Sequence, residues 1–218
     1  MKKVLSFLKT LQKNNNKAWF DEHRQEYDVA KSEFLAQVDI LIKGLTKVDP
    51  SIGNPHPKET IFRINRDVRF SKNKSPYKNS MSAVFASGGK KSPKPCYYVH
   101  IQPGASFIAG GIWMPEKEVL EKIRQEIDYE GVSLQALLKK VGFKKYFSGL
   151  DEENTLVRIP KGFHEDHPMT TFLKLKSFTV THSVSDAEVL DAKFPEYVLK
   201  VFVQIKPFND FLAVVFEK

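Results

Sequence analysis

Arg63, Arg66 and Arg69 recur at every third position, and Lys72, Lys74 and Lys78 follow within the next nine residues. That combination has the chemistry of an oxyanion site. A guanidinium presents a planar fork of donors that matches phosphate or carboxylate, and an ammonium adds mobile point charge. Ser71 and Tyr77 add neutral donors, and Asp67 can orient Arg63 and Arg69 if the segment runs extended. The candidate ligand set is therefore Arg63, Arg66, Asp67, Arg69, Lys74, Tyr77 and Lys78, with Tyr98 as a neighbouring phenol. The competing reading is a solvated strand face and loop, with Arg66 in a buried ion pair that serves folding alone.

The net charge supports a site. The 218 residues carry 34 basic and 26 acidic side chains, a balance of +8. Between Thr60 and Pro95 lie nine of the basic residues and one acid, Asp67, so the rest of the chain holds 25 of each sign. The excess is regional, and a concentrated positive field captures anions where mixed charges do not.

Other chemistry-bearing residues are weaker signals. His100 is a candidate general acid or base, because an unperturbed imidazole titrates near neutrality; a hydrogen-bonded sheet histidine is the plainer alternative. His164, Glu165, Asp166 and His167 have metal-binding side chains, but Pro168 and the absence of a familiar spacing argue against a metal site, and none is expected. Cys96 is the only cysteine, which excludes an intramolecular disulfide and points to a reducing, cytoplasmic compartment. It sits in an apolar run, where thiols are inert. No Walker loop, dinucleotide fingerprint, nucleophile elbow or zinc-finger spacing occurs, and no cofactor is expected.

These residues need elements to hold them. Hydrophobic content of 41% and charged content of 28% are ordinary for a folded chain. Val4, Leu5, Leu8 and Leu11 line one face of a first helix. Lys9 interrupts the apolar run that a secretory leader would need, and no stretch is long enough to span a membrane. Phe20, Tyr27, Phe34, Val38, Leu41, Ile42 and Leu45 predict a single long helix from Lys17 to about Lys47, stopped before Pro50. Ile61 to Phe70 reads as a strand with Phe62, Ile64, Val68 and Phe70 on one face and Arg63, Asn65, Asp67 and Arg69 on the other. A basic loop follows, then a short strand at Met81 to Ala86.

Cys96 to Gln102 and Ser106 to Trp113, joined by Pro103-Gly104, read as a β-hairpin in which Tyr98, His100 and Gln102 share a face. Gly110-Gly111 implies a bulge or a close approach to the backbone. Helical stripes then run from Val119 to Val141, with Gly131 and Gly142 as expected helix ends. A short strand at Leu156 to Ile159 and another at Ser177 to Val184 precede a final helical region from Asp186, interrupted at Pro195 and Pro207. The sum is a single α+β domain over residues 1–218, a mostly antiparallel sheet packed with helices from the N-terminal, middle and C-terminal segments.

The run Arg63-Ile64-Asn65-Arg66-Asp67-Val68-Arg69-Phe70-Ser71-Lys72-Asn73-Lys74-Ser75-Pro76-Tyr77-Lys78 resembles the signature of an uncharacterised family known as domain of unknown function 2461. Asn15-Asn16-Lys17-Ala18-Trp19-Phe20, Tyr98-Val99-His100-Ile101, Gly110-Gly111-Ile112-Trp113-Met114-Pro115 and His167-Pro168 also look like family landmarks. The resemblance covers nearly the whole chain and implies a one-domain α+β protein, but it brings no established activity, substrate or cofactor. An aspartate is expected where this chain has Asn73, which removes a carboxylate that could have been a ligand or base.

The leading expectation is a protein that binds a phosphate-containing small molecule, a nucleotide or phosphorylated metabolite, with catalysis left open. Nucleic acid is the second expectation, with Phe70, Tyr77, Tyr97 and Tyr98 as stacking surfaces among the cations. The third is a non-catalytic module for an acidic partner, which predicts a flat or convex basic surface outside any cleft.

Overall fold

The computed structural model describes residues 1–153 and 155–217. Four antiparallel strands make one sheet in the order β1 (Met81–Ala86), β2 (Cys96–Ile101), β3 (Ser106–Ile112) and β4 (Phe178–Val184). The β2–β3 hairpin has the expected place, and its register sets His100 opposite Ser82 on β1 and Phe107 on β3. Alternation along β2 decides what faces what. Tyr97, Val99 and Ile101 are buried in the core, so Tyr98 and His100 point to the other, outer face.

Helices cover the inner face. Along the chain these are α1 (Lys2–Lys13), α2 (Lys17–Glu22), α3 (Arg24–Val48), α4 (Pro57–Thr60), α5 (Lys117–Leu138), α6 (Val141–Lys144), α7 (Thr170–Leu173), α8 (Asp186–Leu190) and α9 (Phe194–Ala213). Phe202 of α9 lies 5.1 Å from the Tyr97 ring and 6.0 Å from Phe85, centroid to centroid. The buried Tyr97 hydroxyl donates to Asp49 Oδ2 at 2.9 Å, and Asp49 also accepts from Ser51 N to start a 3₁₀ turn at Pro50–Ile52. The core is one contiguous cluster that joins α1, α3, α5, α9 and the sheet. No helix of the described residues is long and apolar enough to cross a membrane.

Several expected elements differ. The single helix from Lys17 divides at His23, whose non-helical backbone ends α2 and whose ring stacks on Trp19 at 4.1 Å. The division turns Phe20 onto Tyr77, with ring centroids 4.0 Å apart, a packing that one straight helix could not combine with the core face of α3. Ile61 to Phe70 is not a continuous strand. Ile61 bridges Ala83 and Asn65 bridges Tyr77, so successive residues pair with different partners. Side chains of Arg66, Asp67 and Asn73 bond nearby backbone instead of leaving it to a ladder.

Gly131 lies within α5, not at its end, because Met169 fills the place a Cβ would take; the kink is at Glu130. Gly142 likewise lies inside α6, beneath Gln204. The region from Leu156 to Ile159 forms no strand, although Leu156 N donates to Lys174 O at 2.8 Å. Pro195 opens α9 where a missing N–H costs nothing, and Pro207 continues inside it on the exposed side, where the freed carbonyl one turn earlier can reach water.

Candidate functional site

At the edge of the outer sheet face, Phe62 N donates to Ser82 O at 3.1 Å, which lays residues 61 and 62 against β1. Two further backbone bonds, Lys78 N to Ile64 O and Arg66 N to Pro76 O, each 2.8 Å, bring the chain back beside its own start. Arg63 and Lys78 therefore share one edge of the sheet with Tyr98 and His100. Lys90 joins them from the β1–β2 connection, with its Nζ 2.8 Å from Ile61 O. The ring of Phe62 lies beneath both ammonium groups, 5.4 Å from Lys78 Nζ and 5.7 Å from Lys90 Nζ, and meets Tyr98 edge-on at 6.2 Å.

Cations crowd this cluster, and Asp67 acts on Arg63 only from a distance. Burial, then the Arg63 guanidinium, then the Lys90 ammonium depress the pKa of Lys78 below the usual lysine value. Among the described residues neither Arg63 nor Lys78 has a carboxylate within ion-pair distance. His100 is also pushed down, chiefly by burial; the bond to Gln102 pulls the other way, and Lys78 adds a smaller downward push. Its ring stacks on Phe107 at 4.6 Å, and its nitrogens lie 3.1 Å from the Tyr98 hydroxyl (Nδ1) and 3.2 Å from Gln102 Oε1 (Nε2). Because Gln102 Oε1 only accepts, Nε2 carries the hydrogen and the Tyr98 hydroxyl donates to Nδ1. That is a neutral, doubly bonded imidazole.

A pH dependence of stability follows. The folded pKa of His100 lies below its unfolded value of about 6.5, so the unfolded chain binds the proton first as pH falls. The contribution is complete above that value and is lost through the window between it and the folded pKa. The melting temperature is expected to fall on acidification below about pH 6.5, and His100→Gln is expected to flatten that dependence; parallel wild-type and variant profiles would contradict it.

The remaining predicted residues lie elsewhere. Asp67 pairs with Arg69 through both carboxylate oxygens, at 3.0 and 2.7 Å, and not with Arg63, to which it is only a distant electrostatic neighbour. Arg66 Nη1 and Nη2 donate to Ser75 O and Ser71 Oγ, a local staple in place of a buried ion pair. Lys74 Nζ donates to Val68 O at 3.1 Å. Tyr77 is in the core against Phe20, and Tyr97 is fully buried, so neither can stack on a ligand; of the four aromatics expected to do so, Phe70 is exposed and Tyr98 half-buried.

Phe62, Lys90, Gln102 and Phe107 belong to the cluster but were not among the predicted site residues. Two of them had a signal: Gln102 shares a face with Tyr98 and His100, and Lys90 is one of the nine basic residues between Thr60 and Pro95. The Cys96 thiol is pushed up to about 12 by burial. His167 is tied to Asp128 at 2.9 Å and accepts from Met169 N, and no group of three or more metal-binding side chains occurs among the described residues.

Two cavities lie away from the cationic cluster. A cavity of about 790 Å³ lies between α5, α6 and α7, and it holds Lys139 and Lys144 together with Asp151 and Glu152. A smaller one of about 350 Å³ lies at α1 and α3. Neither includes any residue of the cationic cluster. Mixed charge gives the larger cavity no preference for anions, so the cationic cluster is the better candidate.

A family model described as conserved hypothetical protein (DUF2461) matches residues 3–211. The chain belongs to that family. No curated protein and no solved structure matches it. The structure gives physical reasons for landmarks that the DUF2461 resemblance rested on. Asn15 Oδ1 accepts from Tyr77 N at 3.1 Å and Asn15 Nδ2 donates to Tyr77 O at 3.0 Å, while Phe20 stacks on the Tyr77 ring. Residues 15–20 thus anchor the end of the arginine signature and fix where Lys78 emerges. Asn16 caps α2 by accepting from Trp19 N.

Proposed function

We propose that the protein binds a phosphate-bearing anion on the open outer edge of its sheet, through Arg63, Lys78 and Lys90, with Tyr98, His100 and Gln102 alongside. The observation that carries this reading is Lys78: a half-buried ammonium beside two other cations, with no carboxylate within ion-pair distance of it among the described residues. Buried charges are ordinarily paired, and a cluster of one sign is relieved when an anion enters. A phosphate suits it because several donors can share its oxygens and its charge opposes more than one cation.

Thermal shift and calorimetry with pyrophosphate, a nucleoside triphosphate, a sugar phosphate and polyglutamate test the proposal. At least one phosphate-bearing probe is expected to raise the melting temperature. Arg63→Ala and Lys78→Ala are each expected to weaken that probe about tenfold, as loss of one charge-assisted contact does, while the remote Lys145→Ala leaves it unchanged. Silence of the wild type toward every phosphate probe would remove the reading. Preferential binding of polyglutamate would replace it with an acidic protein partner.

A further inference from the structure

Phe70 is 95% exposed at the tip of the loop between Asp67 and Ser75, yet that loop is firmly organised. Arg66 holds its two ends together, Asp67 fixes Arg69, Lys74 reaches across to Val68 O, and Asn73 Oδ1 accepts from Ser75 N at 2.9 Å. None of these bonds buries the ring. A loop whose polar groups hold it in shape while it shows an aromatic side chain to water has already lost the entropy that binding would otherwise cost it.

The surroundings of the ring define the partner. The Arg69 guanidinium lies 5.8 Å from the Phe70 centroid, and Lys72 is exposed beside it. The stem of the same loop ends at Lys78, next to Arg63, Lys90 and the Phe62 ring, which is 38% exposed. Cations and aromatic faces therefore alternate from the loop tip to the sheet edge. A membrane surface calls for a wider apolar face than one ring, whereas a single strand of nucleic acid carries both phosphates for the cations and unstacked bases for the ring. Duplex bases are already stacked and offer Phe70 nothing.

We infer that this surface takes single-stranded nucleic acid, with phosphates on Arg63, Lys78 and Lys90 and a base stacked on Phe70. The inference rests on the anion-binding reading and names its ligand. It needs no sequence preference, since every base has a stacking face.

Fluorescence anisotropy with labelled single-stranded RNA and DNA oligomers, the corresponding duplex, phosphatidylserine vesicles and pyrophosphate as competitor decides it. Single strands are expected to bind, and Phe70→Ala to weaken them about tenfold without changing the salt dependence. Lys78→Ala is expected to lower the log–log salt slope by about 0.7, the value for one phosphate contact on a single strand. The duplex is expected to bind more weakly and to ignore Phe70→Ala. Because Phe70 packs on no core residue, that variant should melt with the wild type. Single strands bound equally by Phe70→Ala and wild type would overturn the inference, as would vesicle binding that depends on Phe70 with no binding of strands. Lys78-dependent binding of pyrophosphate without binding of strands would overturn it while leaving the anion-binding reading intact; absence of both would remove the two together.

Discussion

Gly111→Ala is expected to destabilise the fold by about 3–5 kcal/mol, the largest effect of any single methyl group in this chain. Gly111 sits in the third strand with φ of 109°, a backbone conformation that side-chain-bearing residues rarely adopt. A Cβ there would overlap the carbonyl oxygen of Phe178 on the adjacent strand and lie 3.0 Å from Phe208 Cε1. The first obstacle is backbone within a hydrogen-bonded ladder, so no rotamer change relieves it, and the strained φ adds about 1–3 kcal/mol of its own. Gly110→Ala is the informative contrast. Its Cβ would meet chiefly the side chain of Ile205, which can rotate, and the expected cost is about 1–3 kcal/mol. Gly104→Ala, at a hairpin turn with open space around it, should cost about 1 kcal/mol from its positive φ alone. Urea denaturation of the three variants orders them; equal midpoints for Gly111→Ala and wild type would mean that the backbones of β3 and β4 are not held this close at Phe178.

The same pair of glycines shows what the sequence makes legible. Adjacent glycines in an otherwise β-branched and aromatic strand imply a close approach, and here α9 makes it at Gly110 and the backbone of β4 at Gly111. Helix period and the Pro103-Gly104 turn likewise give the hairpin and the long α3 and α9 helices, because these depend on neighbours within a few residues. Gly131 and Pro207 mislead for the opposite reason. Met169 lies 38 positions from Gly131, and the exposure of Pro207 depends on which side of α9 meets the sheet. Local signals cannot carry either fact.

The candidate site divides on the same principle. Charge excess located it between residues 60 and 95, but the choice among its cations depends on hydrogen bonds. Arg66 and Lys74 are occupied with backbone carbonyls, and Arg69 with Asp67. Among the described residues Arg63 and Lys78 have no such partner, and Lys90, itself donating to Ile61 O, reaches them from 27 positions beyond Arg63. An arginine that organises a loop and one left exposed to solvent are written with the same letter.

Arg124→Met is expected to cost about 2–4 kcal/mol, although no carboxylate pairs with the guanidinium. Arg124 is buried on α5, and its Nε and Nη2 donate to Leu173 O at 2.9 Å and Leu175 O at 3.1 Å. Desolvation lowers its pKa, with Glu121 the opposing influence, and the planar fork spans two carbonyls that no helix continues far enough to satisfy. Methionine preserves the stem and removes both donors, leaving the two acceptors buried. Arg124→Lys retains the charge but cannot serve both carbonyls from one point, so it should recover less than half of the loss. Hydrogen exchange gives the local readout: protection across residues 170–178 should fall in Arg124→Met well before global unfolding. Leu175 lies only three positions before Phe178, whose carbonyl confronts Gly111. A double-mutant cycle of Arg124→Met with Gly111→Ala is therefore expected to show coupling of about 0.5 kcal/mol or more, since both changes loosen the start of the same strand. Strict additivity would mean that the guanidinium secures the short helix alone and leaves the sheet edge to its ladder.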